Sequence, residues 1–565
     1  MSARAPTLDE VRVQPRPRWN GWQCAAVAIA AAVLLPLLAL GWTAAQGSDG
    51  LWSHIAANVL PQATKNTALL LLGVGTLAVT LGTGSAWLVT AYEFPGRKVI
   101  AWALLLPLAV PTYIVAYAYL DLLHPLGPVQ SAVRALLGYD SPRDFRLPDI
   151  RGLLGCIVLL GFVLYPYVYM TTRAMFMTQA ASLLEAGRTL GAGRASLFFR
   201  VALPLARPAI AVGAALALLE TLGDIGASEF LGVQTLTVSV YTTWITRSDL
   251  AGAAQIALAM LVIVLALIAL ERFGRRRQRY ANTQRPRPMQ PRRLRGLAAF
   301  GVLALVSVPV LVGFVAPTTH LAVESWQRLS NGGVSPTLWS SLWNTVRVAF
   351  IATLVTVAAG LVLAWAHRLA QARRDPRIAG VALRIGGFGY ALPGTVLAIG
   401  LLAPLAWFDD GANLLLQGFG RDPRMVLMGS VSALVLAYVL RFLVIASGGI
   451  EAGLMRVPAS LDHAARGLGA SPGAMLRRVH LPLLKPALAA AALLVFVDTM
   501  KELPATLLLR PMNFETLATW LYADAVRGAY EDGAVAALLI VAVGLLPVIL
   551  LARAGVQYGR ELSSR

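Results

Sequence analysis

Two pairs of acids stand out in a chain that carries few charges: Glu220 with Asp224, and Asp498 with Glu502. The members of each pair are four residues apart, a spacing that puts them on one side of a helix. A shift of 278 residues carries Glu220 onto Asp498 and Asp224 onto Glu502. Four carboxylates brought to a common axis would attract a hard cation, for which oxygen is the natural ligand. Two other readings of the same acids stay open: interfacial residues paired with Lys501 and Arg510, or a gate held by charge pairs. The choice depends on the elements that carry them, because acids at membrane depth are costly and as a rule face a cavity or a partner.

Those elements are apolar. Of 565 residues 57% are hydrophobic and only 13% charged, too few charges to cover a water-soluble protein of this size. Runs near the length needed to cross a bilayer fall at about 23–43, 67–91, 99–122, 152–172, 204–224, 250–270, 296–316, 345–366, 379–406, 425–447, 482–500 and 533–553. The fold class expected is all-α, a polytopic membrane protein of about twelve transmembrane helices. Pro204 lies sixteen residues before Glu220, roughly 24 Å along a helix, so both acid pairs belong in the outer part of any pathway. The formal charge of +20 sits in the N-terminal tail, in alternate loops and at the C-terminus. This is the positive-inside pattern, which predicts both termini on the cytoplasmic side and gives no reason to invoke nucleic acid.

The Pro/Arg-rich stretch 272–295 divides the chain into halves, 1–271 and 296–565. It is read as a cytoplasmic linker touching anionic lipid. Under the same shift of 278, Ala181–Ile210 falls on Ala459–Leu488 with 15 of 30 positions identical and no gap. The halves are therefore duplicates of six helices each. An even helix number makes the repeat parallel and puts both repeated loops, about 176–203 and 454–481, on one side of the membrane. Within each loop apolar and charged residues recur at helical spacing, which predicts a short amphipathic helix that turns at a glycine and returns through Leu-Pro.

Catalytic signatures are missing. None of Lys65, Lys98, Lys485 and Lys501 completes a phosphate-binding loop, so any ATP hydrolysis belongs to a separate subunit. No zinc-protease or nucleophile-elbow arrangement occurs, and Cys24 and Cys156 imply no disulfide framework. Tyr165, Tyr167 and Tyr169 are expected in an aromatic belt near the cytoplasmic end of the fourth helix. Arg441, inside the tenth, has no assignment.

The repeated loop resembles the EAA signature of bacterial ABC importer permeases. Glu185, Ala186, Gly187, Gly191, Leu203 and Pro204 carry the likeness in the first copy, with Gly187 in place of the motif's second alanine. Ala464, Ala465, Gly469, Leu481 and Pro482 carry it in the second, where His463, preceded by Asp462, stands in place of the glutamate. The resemblance implies a type I importer permease whose two coupling helices dock on two copies of a cytoplasmic ABC ATPase. ATP is then held by that partner, and this chain binds no cofactor. Pro107–Leu123, Glu220–Val233, Tyr390–Gly400 and Val495–Tyr522 are similar to fused iron(III) permeases of the bacterial inner membrane. That likeness implies a periplasmic ferric-binding protein as second partner. Fused thiamine and aminoethylphosphonate permeases share the architecture, and an ion-driven secondary transporter is the alternative of another class.

Overall fold

The computed structural model describes residues 21–48, 50–178, 187, 189, 191, 193–275, 291–333, 335–372, 377–528 and 530–563. Glu185 and Ala186, the terminal tail and residues 276–290 of the linker lie outside the described residues.

Eleven helices among the described residues are long and apolar enough to cross a membrane, and a bent pair makes a twelfth. They are α1 (Gly21–Ala45), α2 (Trp52–Ala91), α3 (Arg97–Ala109 with Thr112–Leu122), α4 (Leu153–Met177), α5 (Leu197–Gly223) and α6 (Leu250–Gly274), then α7 (Gly296–Asn331), α8 (Pro336–Ala372), α9 (Gly394–Gly418), α10 (Val431–Met455), α11 (Pro472–Met500) and α12 (Gly533–Leu550). Large apolar side chains such as Leu38, Leu72, Phe300 and Leu354 stay exposed on the outside of the bundle, where a bilayer would cover them.

Two expected spans are broken. The run 99–122 bends by 92° between its two parts, and the run 379–406 divides into Arg377–Gly386, a short turn and α9. The breaks come at Val110-Pro111 and Leu392-Pro393. Both residues before the prolines are extended, at ψ 116° and 125°, because the proline ring excludes the helical conformation from its predecessor.

Proline shapes the helices elsewhere too. Widened π-turns occur at Ile55–Val59, Leu197–Ala202, Leu311–Val315 and Leu476–His480, each just before an X-Pro pair: Pro61, Pro204, Pro317 and Pro482. A proline inside a helix cannot donate to the carbonyl four residues back and crowds it. At each site the residue before the proline donates instead to the carbonyl five back, as from Leu203 to Phe198 and from Leu481 to Leu476. The chain thus enters α5 and α11 through the same widened turn.

The first helix of each half leans on the other half. Helix α1 lies against α8, α9 and Arg377–Gly386, whereas α7 lies against α2, α3 and α4. The start of the second half is fixed by a short parallel pairing of Tyr92 with Arg292 and Glu93 with Arg293. Within each half the second and fourth helices cross closely. A Cβ on Gly82 would come within 2.7 Å of Val168, and one on Gly360 within 2.9 Å of Ala446, so both crossings need glycine. A clasp also repeats. Asn66 and Asn344 donate to the carbonyls of Gln234 and Glu515, while Thr67 and Thr345 accept from the amides of Leu236 and Leu517. Each clasp holds the start of a short helix, Leu236–Ile245 or Leu517–Arg527.

Candidate functional site

All four sequence-singled acids meet at one cavity of about 130 Å³ between the halves. The first half contributes Tyr113, Tyr167, Glu220 and Asp224; the second contributes Tyr390, Arg441, Asp498, Lys501 and Glu502. Among the polar side chains of the wall oxygen outnumbers nitrogen, and four carboxylates face two cations.

Their local roles differ from the expected shared helix face. Helix α5 stops at Gly223 and α11 at Met500, so only Glu220 and Asp498 project from the long helices. Asp224 lies past the helix end with an extended backbone. Its carboxylate accepts from the amide of Ala227 at 3.0 Å and the hydroxyl of Thr112 at 3.2 Å. Glu502 accepts from the amides of Ala505 and Thr506 at 2.9 and 3.0 Å and from the Thr506 hydroxyl at 2.7 Å. Both acids thereby satisfy free N–H groups in the first turn of a short following helix.

Charge pairing is also redistributed. Lys501 pairs with Asp498 at 2.8 Å, and Arg510 pairs with Glu515 instead of the cavity acids. The cation opposite Glu502 is Arg441, 3.7 Å away, whose Nε and Nη1 have no hydrogen-bond partner among the described residues. Room for that guanidinium comes from Gly394, where a Cβ would lie 2.2 Å from Nη1. Among the described residues Glu220 forms no ion pair, and it accepts from the Tyr390 hydroxyl at 2.8 Å. The aromatic-belt reading of the tyrosines is corrected as well. Tyr165 and Tyr169 are buried and donate to the carbonyls of Leu104 and Ala101, and Tyr167 lines the cavity. They satisfy carbonyls freed where α3 is irregular, which no side-chain spacing foretells.

At one end of the bundle lie the repeated loops. Gly191 and Gly469 both adopt left-handed backbone, at φ +78° and +74°, a conformation in which glycine carries no Cβ penalty. Leu203-Pro204 and Leu481-Pro482 follow the π-turns and begin the straight parts of α5 and α11. In the second loop Ala459–Gly467 is a short helix. Leu461, His463, Ala464 and Leu468 are exposed on it, whereas Asp462 and Ala465 are buried.

Asp462 therefore does not belong to the exposed surface with which it was grouped. Its carboxylate accepts from Arg368 at 2.9 and 3.2 Å and hydrogen-bonds Nε2 of buried His480 at 2.8 Å. Arg368 also donates to the carbonyls of Leu454 and Val457. This network tethers the loop helix to α8, α10 and α11. Sequence reasoning gave no site role to Arg368, His480 or Tyr390 and singled out Arg441 without assigning it. The first two have Thr90 and Ala202 at the equivalent positions, so the internal repeat gives no signal for them.

Comparison with known proteins agrees with the duplicated fold. The family described as binding-protein-dependent transport system inner membrane component matches twice, over residues 78–280 and 356–558. The chain is 26% identical to the Fe(3+)-transport system permease protein FbpB 2 of Haemophilus influenzae, over 86% of this chain and 88% of that protein. It is 25% identical to a probable ABC transporter permease of Sinorhizobium fredii, over 98% of both. It is also 33% identical to the molybdenum transport system permease ModB of Escherichia coli, over 95% of that protein but 37% of this chain. The double match leaves no place for the ion-driven carrier. The chain belongs to the binding-protein-dependent inner membrane components, the permeases of ABC importers, as a fusion of two such units.

Proposed function

We propose that this permease carries iron(III) inward across a bacterial inner membrane. In this reading both termini and both repeated loops are cytoplasmic, and residues 272–295 link the halves along the lipid surface. Two copies of an ATPase dock on the loops and supply ATP hydrolysis, so this chain needs no cofactor. The first loop engages through Glu185, Ala186, Gly187 and Gly191, and the second through the exposed face bearing His463 and Ala464. A periplasmic ferric-binding protein delivers cargo at the opposite end.

The observation that carries the iron reading is the wall of the cavity between the halves. It offers carboxylate and phenol oxygens, and its carboxylates outnumber its cations. Hard oxygen donors suit a hard cation, and an excess of negative charge disfavours an oxyanion such as molybdate. Similarity to the Fe(3+)-transport permease over most of both chains points the same way.

One observation favours a second cargo. Arg441 borders the same cavity and has two guanidinium nitrogens without a hydrogen-bond partner among the described residues; a zwitterion whose anionic group drew that guanidinium inward would leave its ammonium among the acids. Relatives named as putative 2-aminoethylphosphonate permeases match about half the chain at 26% identity. Proteoliposomes containing the permease, its ATPase and its binding protein decide between the two. The iron reading expects ATP-dependent accumulation of radiolabelled iron(III), with no accumulation of molybdate or aminoethylphosphonate. Uptake of aminoethylphosphonate without iron would reject it.

A further inference from the structure

A second cluster of ligating side chains lies at the opposite end of the bundle from the repeated loops. Asp121 ends the outer part of α3, in the first half, while His320 and Glu324 stand four residues apart on α7 of the second half. Helix α7 starts beside the Tyr92–Arg292 pairing at the loop end, and His320 is 24 residues farther on, about 36 Å at helical rise. His320 is buried, and its Nε2 lies 2.9 Å from Oδ2 of Asp121. One donor atom from each of Asp121, His320 and Glu324 falls within 4.8 Å of the other two.

We propose that these three side chains form a binding site for a first-row divalent transition-metal ion, of which zinc is the best match. One imidazole nitrogen and two carboxylate oxygens are a three-ligand zinc set that leaves a fourth position for water. Metal–ligand bonds of about 2.0–2.2 Å separate donor atoms by roughly 3–4 Å, so rotamer adjustments close the cluster without moving the backbone. His320 and Glu324 share one face of a rigid helix, which sets two of the ligands before the ion arrives. Binding needs the Nε2 lone pair, so a neutral imidazole carries its one proton on Nδ1 while Asp121, which now hydrogen-bonds Nε2, turns its charge to the ion.

The duplicated half shows that the fold does not require ionisable groups here. The register that puts Pro111 on Pro393 carries Asp121 onto Ala403, and the 278-residue shift carries His320 and Glu324 onto Trp42 and Gln46. Trp42, Gln46 and Ala403 border a cavity of about 400 Å³ lined mainly by apolar side chains. One copy of this junction therefore carries apolar side chains and an amide beside a cavity, and the other a ligand set. Because the ligands come from both halves, a bound ion would link them at the face opposite the loops.

The test uses the full chain in nanodiscs, freed of any polyhistidine tag and stripped with chelator. Titration with zinc chloride, followed by elemental analysis, should give one tightly held zinc per chain and a rise in melting temperature. His320→Ala should abolish that zinc and the thermal shift. Glu324→Gln keeps the Asp121–His320 pair and so preserves folding; it should weaken zinc binding at least tenfold. Wild-type zinc content and affinity in either variant, or no zinc retained by the wild-type chain, would overturn the proposal.

Discussion

The ends of the two halves that carry the repeated loops occupy equivalent places but are held together differently. In the first, Trp87 packs edge-on against Phe176 at 5.5 Å and against Phe198 at 5.3 Å. In the second, the equivalent Trp365 lies 4.8 Å from the imidazole of His480, which belongs to the Asp462–Arg368 network. The exchange is concerted: Phe176, Phe198, Ala202 and Thr90 become Leu454, Leu476, His480 and Arg368, and Leu184 becomes Asp462. Aromatic packing tolerates small shifts and is indifferent to salt. A buried ion network is satisfied only as a whole, and loses most when one member is removed. Duplicated sequence thus redistributed the forces that hold the helix ends flanking its two loops.

The comparison breaks most readily at Asp462. Asp462→Ala leaves the Arg368 guanidinium without its carboxylate and should destabilise the folded chain by about 3–5 kcal/mol, read as a lowered melting temperature in detergent. Rebuilding the second site in the style of the first, as Asp462→Leu with Arg368→Thr and His480→Ala, should recover most of that loss, because apolar replacement of a whole buried network is often neutral. A triple variant no more stable than Asp462→Ala would show that the network has a purpose beyond anchoring.

Smaller effects test what the halves share. Gly191→Ala and Gly469→Ala each force a side chain into left-handed backbone, at about 1 kcal/mol apiece, and the two losses in melting temperature should be alike. Unequal losses would show that the turns are not equivalent in energy despite their matching φ values. Smallest is the effect of surface charge. Glu185→Gln should weaken ATPase association a few-fold, as expected for an exposed pair worth up to about 1 kcal/mol, and more than His463→Gln does. Equal weakening in a pull-down titration would show that the glutamate charge is not what distinguishes the loops.

Much of this architecture was legible in the residues. Apolar run length located the spans, and an ungapped internal match identified the duplication and the paired loops. The same shift brought out Glu220 and Asp498, which do meet at one cavity. What remained hidden has a physical reason in each case. Asp224 and Glu502 read as helix-face acids because a four-residue spacing cannot reveal that the helix stops between the two positions. The chain leaves the helix at Asp224 in one half and at Lys501-Glu502 in the other, so that each acid caps the next helix. Tyr167 looked interfacial because tyrosine favours that depth, but it lines the cavity together with Val110 and Pro111 at the bend of α3. Asp462 was grouped with the docking residues as a partial substitute for the missing glutamate because it is next to that position in sequence; one position along a short helix turns it from the exposed face to the buried one.

The central claim is that cargo passes the cavity between the halves by way of its carboxylates, and Glu220 and Asp498 are the direct place to test it. The double variant Glu220→Gln with Asp498→Asn removes two of the four negative charges while leaving the capping acids Asp224 and Glu502 in place. In proteoliposomes with the ATPase and loaded binding protein, iron(III) uptake should fall at least tenfold while stimulated ATP hydrolysis continues, because the loops are untouched. Iron uptake at the wild-type rate in that variant would contradict the account.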